Sequence, residues 1–290
     1  MATPSIATER RSPRANPSTW GAALNGIITL WYRDVLHFTR DRARIIGSFA
    51  QPILFLFIFG TGLSASIGPL GGGGAGQEGV SYVQFIFPGI IAMAVLFTAV
   101  FSGIAIVWDR EFGFLKEVLV APLPRWAIAI GKALGGATTA MVQGILMLIF
   151  APFVGVSLSL GNVAGLIPVM FLTAFALSSL GLLIAVSMKS MQGFQLIMNF
   201  LMMPLFFLSG ALFPLQNLPG WLTAFTRINP VSYGVDAIRH LVLGTGSPAA
   251  EQLGLTVLGV RMTPLLDMMV VLAFGMVMIA LAVRRFSVQE

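Results

Sequence analysis

Apolar residues in this chain gather into long runs separated by short charged or glycine-rich stretches. Near the N-terminus the spacing is amphipathic instead. Trp20, Leu24, Ile27, Trp31, Val35 and Phe38 recur every three or four residues, and Arg33, His37, Arg40 and Arg44 recur likewise on another face. That period predicts a helix over 20–44 with an apolar stripe opposite a basic one. With tryptophans on the apolar side it fits a helix lying in a membrane interface near anionic headgroups. The alternative is a soluble helix packed on a partner.

No charged residue occurs between Arg44 and Glu78, so about 45–66 supplies a first run long enough to cross a bilayer. Further crossings are expected at about 82–107, 126–153, 163–187, 194–213 and 264–283, six in all. Pro52 sits one turn inside the first and is expected to kink it. Between Lys132 and Lys189 no residue is charged, which leaves room for two crossings and a hairpin. Pro214, Pro219 and Pro230 punctuate the segment reaching Arg261, where 221–225 and 231–243 read as short helices too broken and too charged to cross. The loop at 68–79 holds four consecutive glycines, Gly71 to Gly74, but no Gly-Lys-Ser/Thr follows, so it is not a phosphate cradle. Residues 1–19 read as a disordered leader, in which Arg10-Arg11 lacks the short apolar segment of an export signal.

Composition agrees with the pattern. Of 290 residues, 17 are Lys or Arg and 11 are Asp or Glu, which is 10% charged, against about 25% in an ordinary soluble domain. Hydrophobic residues make up 57% and the mean hydropathy is +0.89, more apolar surface than one water-soluble core hides. The expected fold class is an all-α polytopic membrane protein, with a leader (1–19), an interfacial helix (20–44) and a six-span unit (45–290). The chain has no cysteine, which excludes disulfides, zinc-thiolate sites and thiol nucleophiles.

Charge sidedness orients the chain. With a cytoplasmic N-terminus, residues 1–44 hold seven Lys or Arg, 108–132 hold four, Lys189 is one, and Arg284 and Arg285 complete 14 of the 17 on the inner side. Arg227, Arg239 and Arg261 are left outside. The positive-inside rule therefore favours both this direction and an even number of crossings, with both termini cytoplasmic.

Catalytic groups do not assemble from this sequence. His37 and His240 fall on opposite sides, so no His pair is expected to bind metal, and no hydrolase triad has candidates. Glu111 and Glu117 are six apart, about 120° around a helix, and do not form one acid/base pair. Asp267 and Lys132 are the only charges near lipid. Each lies by a span end, where snorkelling or local pairing is the ordinary role, so ion-coupled transport is disfavoured. An ATP site is lacking too, since Gly131-Lys132 is followed by Ala133 with no glycine-rich loop before it. The stretch from Asp109 to Val120 instead mixes charges with Phe112, Phe114, Leu115, Val118 and Leu119, and Pro122 and Pro124 stop it. A short amphipathic helix there is suited to docking in a groove of a soluble protein.

At these residues the sequence resembles a known family. Arg110-Glu111-x-Gly113-x-Leu115-x-Glu117, then Pro122-Leu123-Pro124-Arg125 and Gly131-Lys132, is similar to the intracellular coupling segment of type 2 ABC exporter permeases, which include daunorubicin-resistance and nodulation-factor export permeases, so that Arg110, Glu111, Lys116, Glu117 and Arg125 would transmit the stroke of an ATPase partner. A second match runs through Pro204 to Gly210, Phe213-Pro214, Leu218-Pro219, Ile228-Asn229-Pro230 and Asp236-Ala237-Ile238-Arg239. The resemblance covers about 20–285. It implies a bacterial inner-membrane permease without an ATP site of its own, paired with a second permease copy or relative and with two cytoplasmic ATPase subunits that hold ATP and Mg. The 109–125 segment would be the coupling helix. The 20–44 helix, with Trp20, Trp31, Arg33, Arg40 and Arg44, would lie along the inner leaflet beside the ATPase. The outer segment with Asn229, Pro230, Asp236 and Arg239 would form short re-entrant helices.

Asp236 and Arg239 stand at i, i+3, so an ion pair between them is expected, with a substrate role for Arg239 as the alternative. Phe55, Phe59, Phe97, Phe101, Phe200, Phe206 and Phe207 are candidates for a substrate path at a dimer interface, against ordinary helix or lipid packing. The absence of a polar recognition set suits a hydrophobic, lipid or lipid-linked cargo, and the resemblance implies that it is moved outward. An ATP-independent transporter or channel using Asp267 is the rival function, and an intramembrane enzyme or scaffold is the third. No nucleic acid partner is expected.

Overall fold

The computed structural model describes residues 19–67, 70, 80–113, 123–216, 218–244, 247–257 and 259–288. The expected leader and the four-glycine run fall outside them. The first helix, α1 (Thr19–Arg40), ends before the second, α2 (Arg42–Ile67). Asp41 stands alone between them, a one-residue interruption across which helical bonds persist: its N–H is shared between the carbonyls of His37 and Phe38 at 3.2 Å, and its own carbonyl accepts from Ile45 N–H at 3.1 Å. The amphipathic helix is therefore shorter than 20–44, and Arg44 belongs to α2.

Helix α3 (Tyr82–Phe101) begins on a reciprocal capping box in which Ser81 Oγ accepts from Gln84 N–H and Gln84 Oε1 accepts from Ser81 N–H. This satisfies two of the amide groups that every helix start leaves unpaired. After a turn at Ser102-Gly103 the chain continues as α4 (Ile104–Glu111). Asp109, Arg110 and Glu111 thus form the last turn of that rod rather than a separate helix. Helix α5 (Arg125–Met147) runs into a 3-10 turn at Leu148–Val154. Helix α6 (Leu160–Ser187) starts on the Ser159 cap, and α7 (Met191–Phe207) on Ser190. Three short helices follow, α8 (Gly220–Ile228), α9 (Pro230–Val242) and α10 (Pro248–Leu253), and then a two-residue antiparallel pair, β1 (Thr256–Val257) with β2 (Val260–Arg261). That hairpin is a small departure from the all-α expectation. The last helix is α11 (Pro264–Val288).

Among the described residues, five stretches are long and apolar enough to cross a membrane: Ile45–Ser64, Tyr82–Glu111, Arg125–Val154, Leu160–Ser187 and Pro264–Phe286. The expected run at 194–213 is instead the 17-residue helix Met191–Phe207 followed by a turn at 208–213. Helices α3 and α6 form the centre, and α2 and α11 the periphery. Small residues set the central contact. A Cβ on Gly181 of α6 would lie 2.3 Å from the Val100 carbonyl oxygen of α3, so these backbones touch only because Gly181 has no side chain. The periphery leaves large apolar groups outside, among them Leu54, Phe57, Ile58 and Leu265, the arrangement expected where the solvent is hydrocarbon.

Candidate functional site

One end of the bundle gathers alternating charges from three helices. Arg33 and Asp34 come from α1, Asp109 from α4 and Lys132 from α5. Arg33 Nη2 donates to Asp109 Oδ2 at 3.0 Å, Lys132 Nζ donates to Asp34 Oδ1 at 3.1 Å and also lies 3.4 Å from Asp109 Oδ2. Arg33 Nε closes the ring 3.6 Å from Asp34 Oδ1. Two cations and two anions compensate each other, which is what allows Lys132 to be buried. Pairing rather than snorkelling is therefore its state, and Arg33 is turned inward to Asp109 rather than out to headgroups.

Other contacts strengthen the same joint. Trp31 Nε1 donates to Thr138 Oγ1 of α5 at 3.0 Å. Gly26 of α1 leaves room for Leu123, whose side chain would meet a Cβ there at 2.7 Å. The rings of Trp20 and Trp126 are 5.8 Å apart. On the far side of α4, Arg110 Nη1 donates to the Met188 carbonyl between α6 and α7. The segment between α4 and α5 is thus fastened to α1 at both of its described ends. Glu111 and Phe112 are exposed, and Gly113 takes a φ of +83° just beyond α4, a conformation that favours glycine. Arg125 opens α5. Leu115, Lys116, Glu117 and Pro122 lie outside the described residues.

Helix α1 also shows a face different from the expected one. Ala23, Gly26, Leu30 and Phe38 are buried, while Trp20, Leu24, Ile28 and Tyr32, spaced by four, form an exposed apolar stripe. Arg40 is exposed at the helix end.

Beside the charged joint opens a groove of about 940 Å³. Its lining joins Arg33, Asp34, His37 and Asp109 to Phe38, Phe101, Ile104 and Trp108. A smaller cavity of about 190 Å³ lies along α2 and α3, bounded by Gln51, Pro52, Met93 and Phe97, and shares Phe38 and Phe101 with the groove. Of the seven phenylalanines, Phe97 and Phe101 therefore line these spaces. Phe55 stacks on Phe59 at 5.1 Å and meets Phe206 edge-on at 5.9 Å, and Phe206 meets Phe207 at 5.5 Å. Phe206 is core and Phe200 points outward, 82% exposed, so the seven do not form one track.

At the other end, the short helices complete the broken α7. Asn229 caps α9 by accepting from Val231 N–H, with Pro230 at the first helical position, where its missing N–H costs nothing. The same Asn229 donates from Nδ2 to the Leu205 carbonyl at 2.8 Å, Ser232 Oγ to Leu208 at 3.3 Å, Arg239 Nη2 to Gly210 at 2.6 Å and Tyr82 to Leu212 at 2.9 Å. Carbonyls stranded by the end of a helix are satisfied in this way by side chains of α9 and α3. Arg239 also lies 4.4 Å over the Phe85 ring, and full burial pushes its guanidinium down to about 10, so it stays charged at neutral pH.

The expected Asp236–Arg239 ion pair is not what forms. Arg239 is turned to Gly210 and Phe85, and Asp236 faces His240 and Asp267, with His240 Nδ1 3.7 Å from Asp236 Oδ2. The residues are three apart, which on α9 points them at different neighbours. Burial raises the Asp236 carboxyl above the usual carboxylate range, while Arg239 and His240 pull it back.

Sequence reasoning did not single out Asp34, although it is the one acid in α1 and stands beside Arg33. Nor did it bring Asp236, His240 and Asp267 together, because they come from two helices joined through a turn-rich segment.

A bundle of long apolar helices with a groove between charged and apolar walls has the build of a membrane permease. The family model described as ABC-2 type transporter matches residues 25–243, and the chain belongs to that family. It is similar to Nodulation protein J of Rhizobium leguminosarum bv. trifolii, 30% identical over 227 residues, covering 77% of this chain and 83% of that protein. It is likewise similar to the inner membrane transport permease YadH of Escherichia coli K12, 30% identical over 227 residues, covering 74% and 82%. The putative transport permease ycf38 of Cyanophora paradoxa is 28% identical over 217 residues, covering 74% and 73%. The chain is thus the membrane subunit of an ABC transporter, without an ATPase site of its own, and its partner is an ABC ATPase. That membership removes the ATP-independent and enzymatic alternatives.

Proposed function

We propose that this permease exports an amphiphilic molecule, a lipid or a lipid-linked drug, glycolipid or polysaccharide, across the plasma membrane. The groove carries the reading: a charged rim suited to a polar headgroup adjoins an aromatic wall suited to an acyl or prenyl chain. The end with Lys132 is the cytoplasmic one, supported by 14 of 17 cations on that side, and the location is a bacterial inner membrane, supported by the name of the YadH relative. Met191–Phe207 serves as a short sixth crossing, at the lower limit of about 17 residues that span a bilayer. Both termini are then cytoplasmic, and α8 to α10 form the outer segment.

Two ATPase subunits and a second permease copy or relative complete the transporter, with ATP and Mg held by the ATPases. Arg110, Glu111, Gly113, Leu115, Lys116, Glu117, Pro122, Leu123 and Arg125 form the ATPase-coupling segment. Asp109 and Leu123 pass its movement to α1, Lys132 carries it into α5, and the groove between them changes shape.

Ala105 lines the groove, and Ala105→Trp tests the reading in proteoliposomes containing the permease and its ATPase. The expected result is loss of lipid-stimulated ATP turnover and of transport, with basal turnover and ATPase association retained. Unchanged transport of every amphiphile that the native protein moves would contradict it.

A further inference from the structure

Helix α9 and the first turn of α11 bring three ligating side chains to one buried point. Asp236, His240 and Asp267 each offer one ligand atom, and these atoms lie within 4.8 Å of one another. Asp236 and Asp267 are 1% and 0% exposed and His240 7%. None of the four carboxylate oxygens has a hydrogen bond of good geometry; the Leu255 backbone N–H and the facing carboxyl of the other acid are the nearest groups to Asp236. The neighbouring cation does not fill the gap, because Arg239 spends its Nη2 donor on Gly210 and its face on Phe85.

Two carboxylates and one imidazole are a donor set for a divalent transition metal. Two ligands at a tetrahedral angle on zinc stand about 3.3 Å apart. The 3.7 Å between His240 Nδ1 and Asp236 Oδ2 is close to that spacing, and with all three ligand atoms within 4.8 Å of one another the set has to contract by up to about 1.5 Å to grip the ion. The Asp236 backbone oxygen lies 2.9 Å from His240 Nδ1. Nδ1 is therefore the ligand atom at this spacing, and on loading it gives up both its proton and that contact, leaving the ring proton on Nε2 beside Gly254.

We propose that Asp236, His240 and Asp267 bind one divalent transition-metal ion of the zinc class, which fastens α9 to the start of α11. The ion would hold the short helices that complete the end of α7 against the final long helix. This does not depend on which molecule the permease moves.

The test uses the full chain in lipid nanodiscs, purified by a tag without histidine, stripped with chelator and then exposed to Zn²⁺ or Ca²⁺. The proposal expects about one zinc retained per chain after desalting, an upward shift of Tm with Zn²⁺ and none with Ca²⁺. His240→Gln and Asp267→Asn should each weaken zinc binding by at least about tenfold. Zinc retention near zero in the folded native chain would overturn the site and leave a proton shared between the two carboxyls as the occupant. Equal retention in the native chain and both variants would also overturn it, by placing the metal elsewhere. Should either variant fail to fold, the zinc count of the native chain still decides.

Discussion

Arg239 Nη2 donates across 2.6 Å to the carbonyl oxygen of Gly210, joining the middle of α9 to the turn where α7 stops. Gly210 sits at a φ of +73°, so the turn needs glycine, and its carbonyl is aimed inward. Arg239→Met keeps much of the volume but strands that carbonyl and removes the contact over Phe85. We expect a loss of about 2–4 kcal/mol in denaturant unfolding of the chain in mixed micelles. Phe85→Leu should cost about 1–2 kcal/mol, since it removes only the ring. Equal stability of Arg239→Met and the native chain would show that the α7 turn is held by other groups.

Lys132 binds two acids from two different helices, Asp34 on α1 and Asp109 on α4. Lys132→Met leaves those carboxylates close together with only Arg33 between them, and about 2–4 kcal/mol of stability should be lost. Adding Asp34→Asn removes one unpaired charge and should restore part of it. A double-mutant cycle read by thermal unfolding in nanodiscs checks this, and strictly additive effects would mean that Lys132 and Asp34 do not interact.

Gly181 and Gly62 give a matched pair of alanine substitutions. A Cβ at Gly181 would collide with the α3 backbone, whereas at Gly62 in α2 it meets nothing within 4 Å. Gly181→Ala should destabilise by about 1–3 kcal/mol. Gly62→Ala should be neutral or stabilising by up to about 1 kcal/mol. Similar Tm values for the two variants would contradict the close α3–α6 crossing.

These residues also show what could be read from the sequence. The long runs were legible because a crossing helix has to be apolar around its whole circumference, and the Ser81-x-x-Gln84 box and Asn229-Pro230 pair mark helix starts in the sequence itself. Boundaries shifted where a single residue decides them: Asp41 splits the first helix, and the turn after Phe207 shortens the fifth apolar run. The coupling motif was visible as a pattern of charges and prolines. Its attachment to α1 was not, because Arg33 and Asp109 are 76 residues apart and Lys132 and Asp34 are 98 apart. Local spacing likewise paired Asp236 with Arg239, while the packed helix sends one to Asp267 and the other to Gly210. Partners chosen across helices depend on rotation about each axis, which apolar periodicity sets only coarsely.

Phe112, exposed just after α4 and 5.7 Å from the Trp108 ring, is the most direct reporter of the central claim that the α4–α5 segment meets the ATPase. A photo-crosslinking benzoylphenylalanine at position 112, and for comparison at the exposed Trp221 of α8, can be activated in intact cells and the products identified by mass spectrometry. The account predicts an ABC ATPase subunit captured from position 112 and none from position 221. Capture of the ATPase from 221, or from neither position while the two subunits still co-purify, would contradict it.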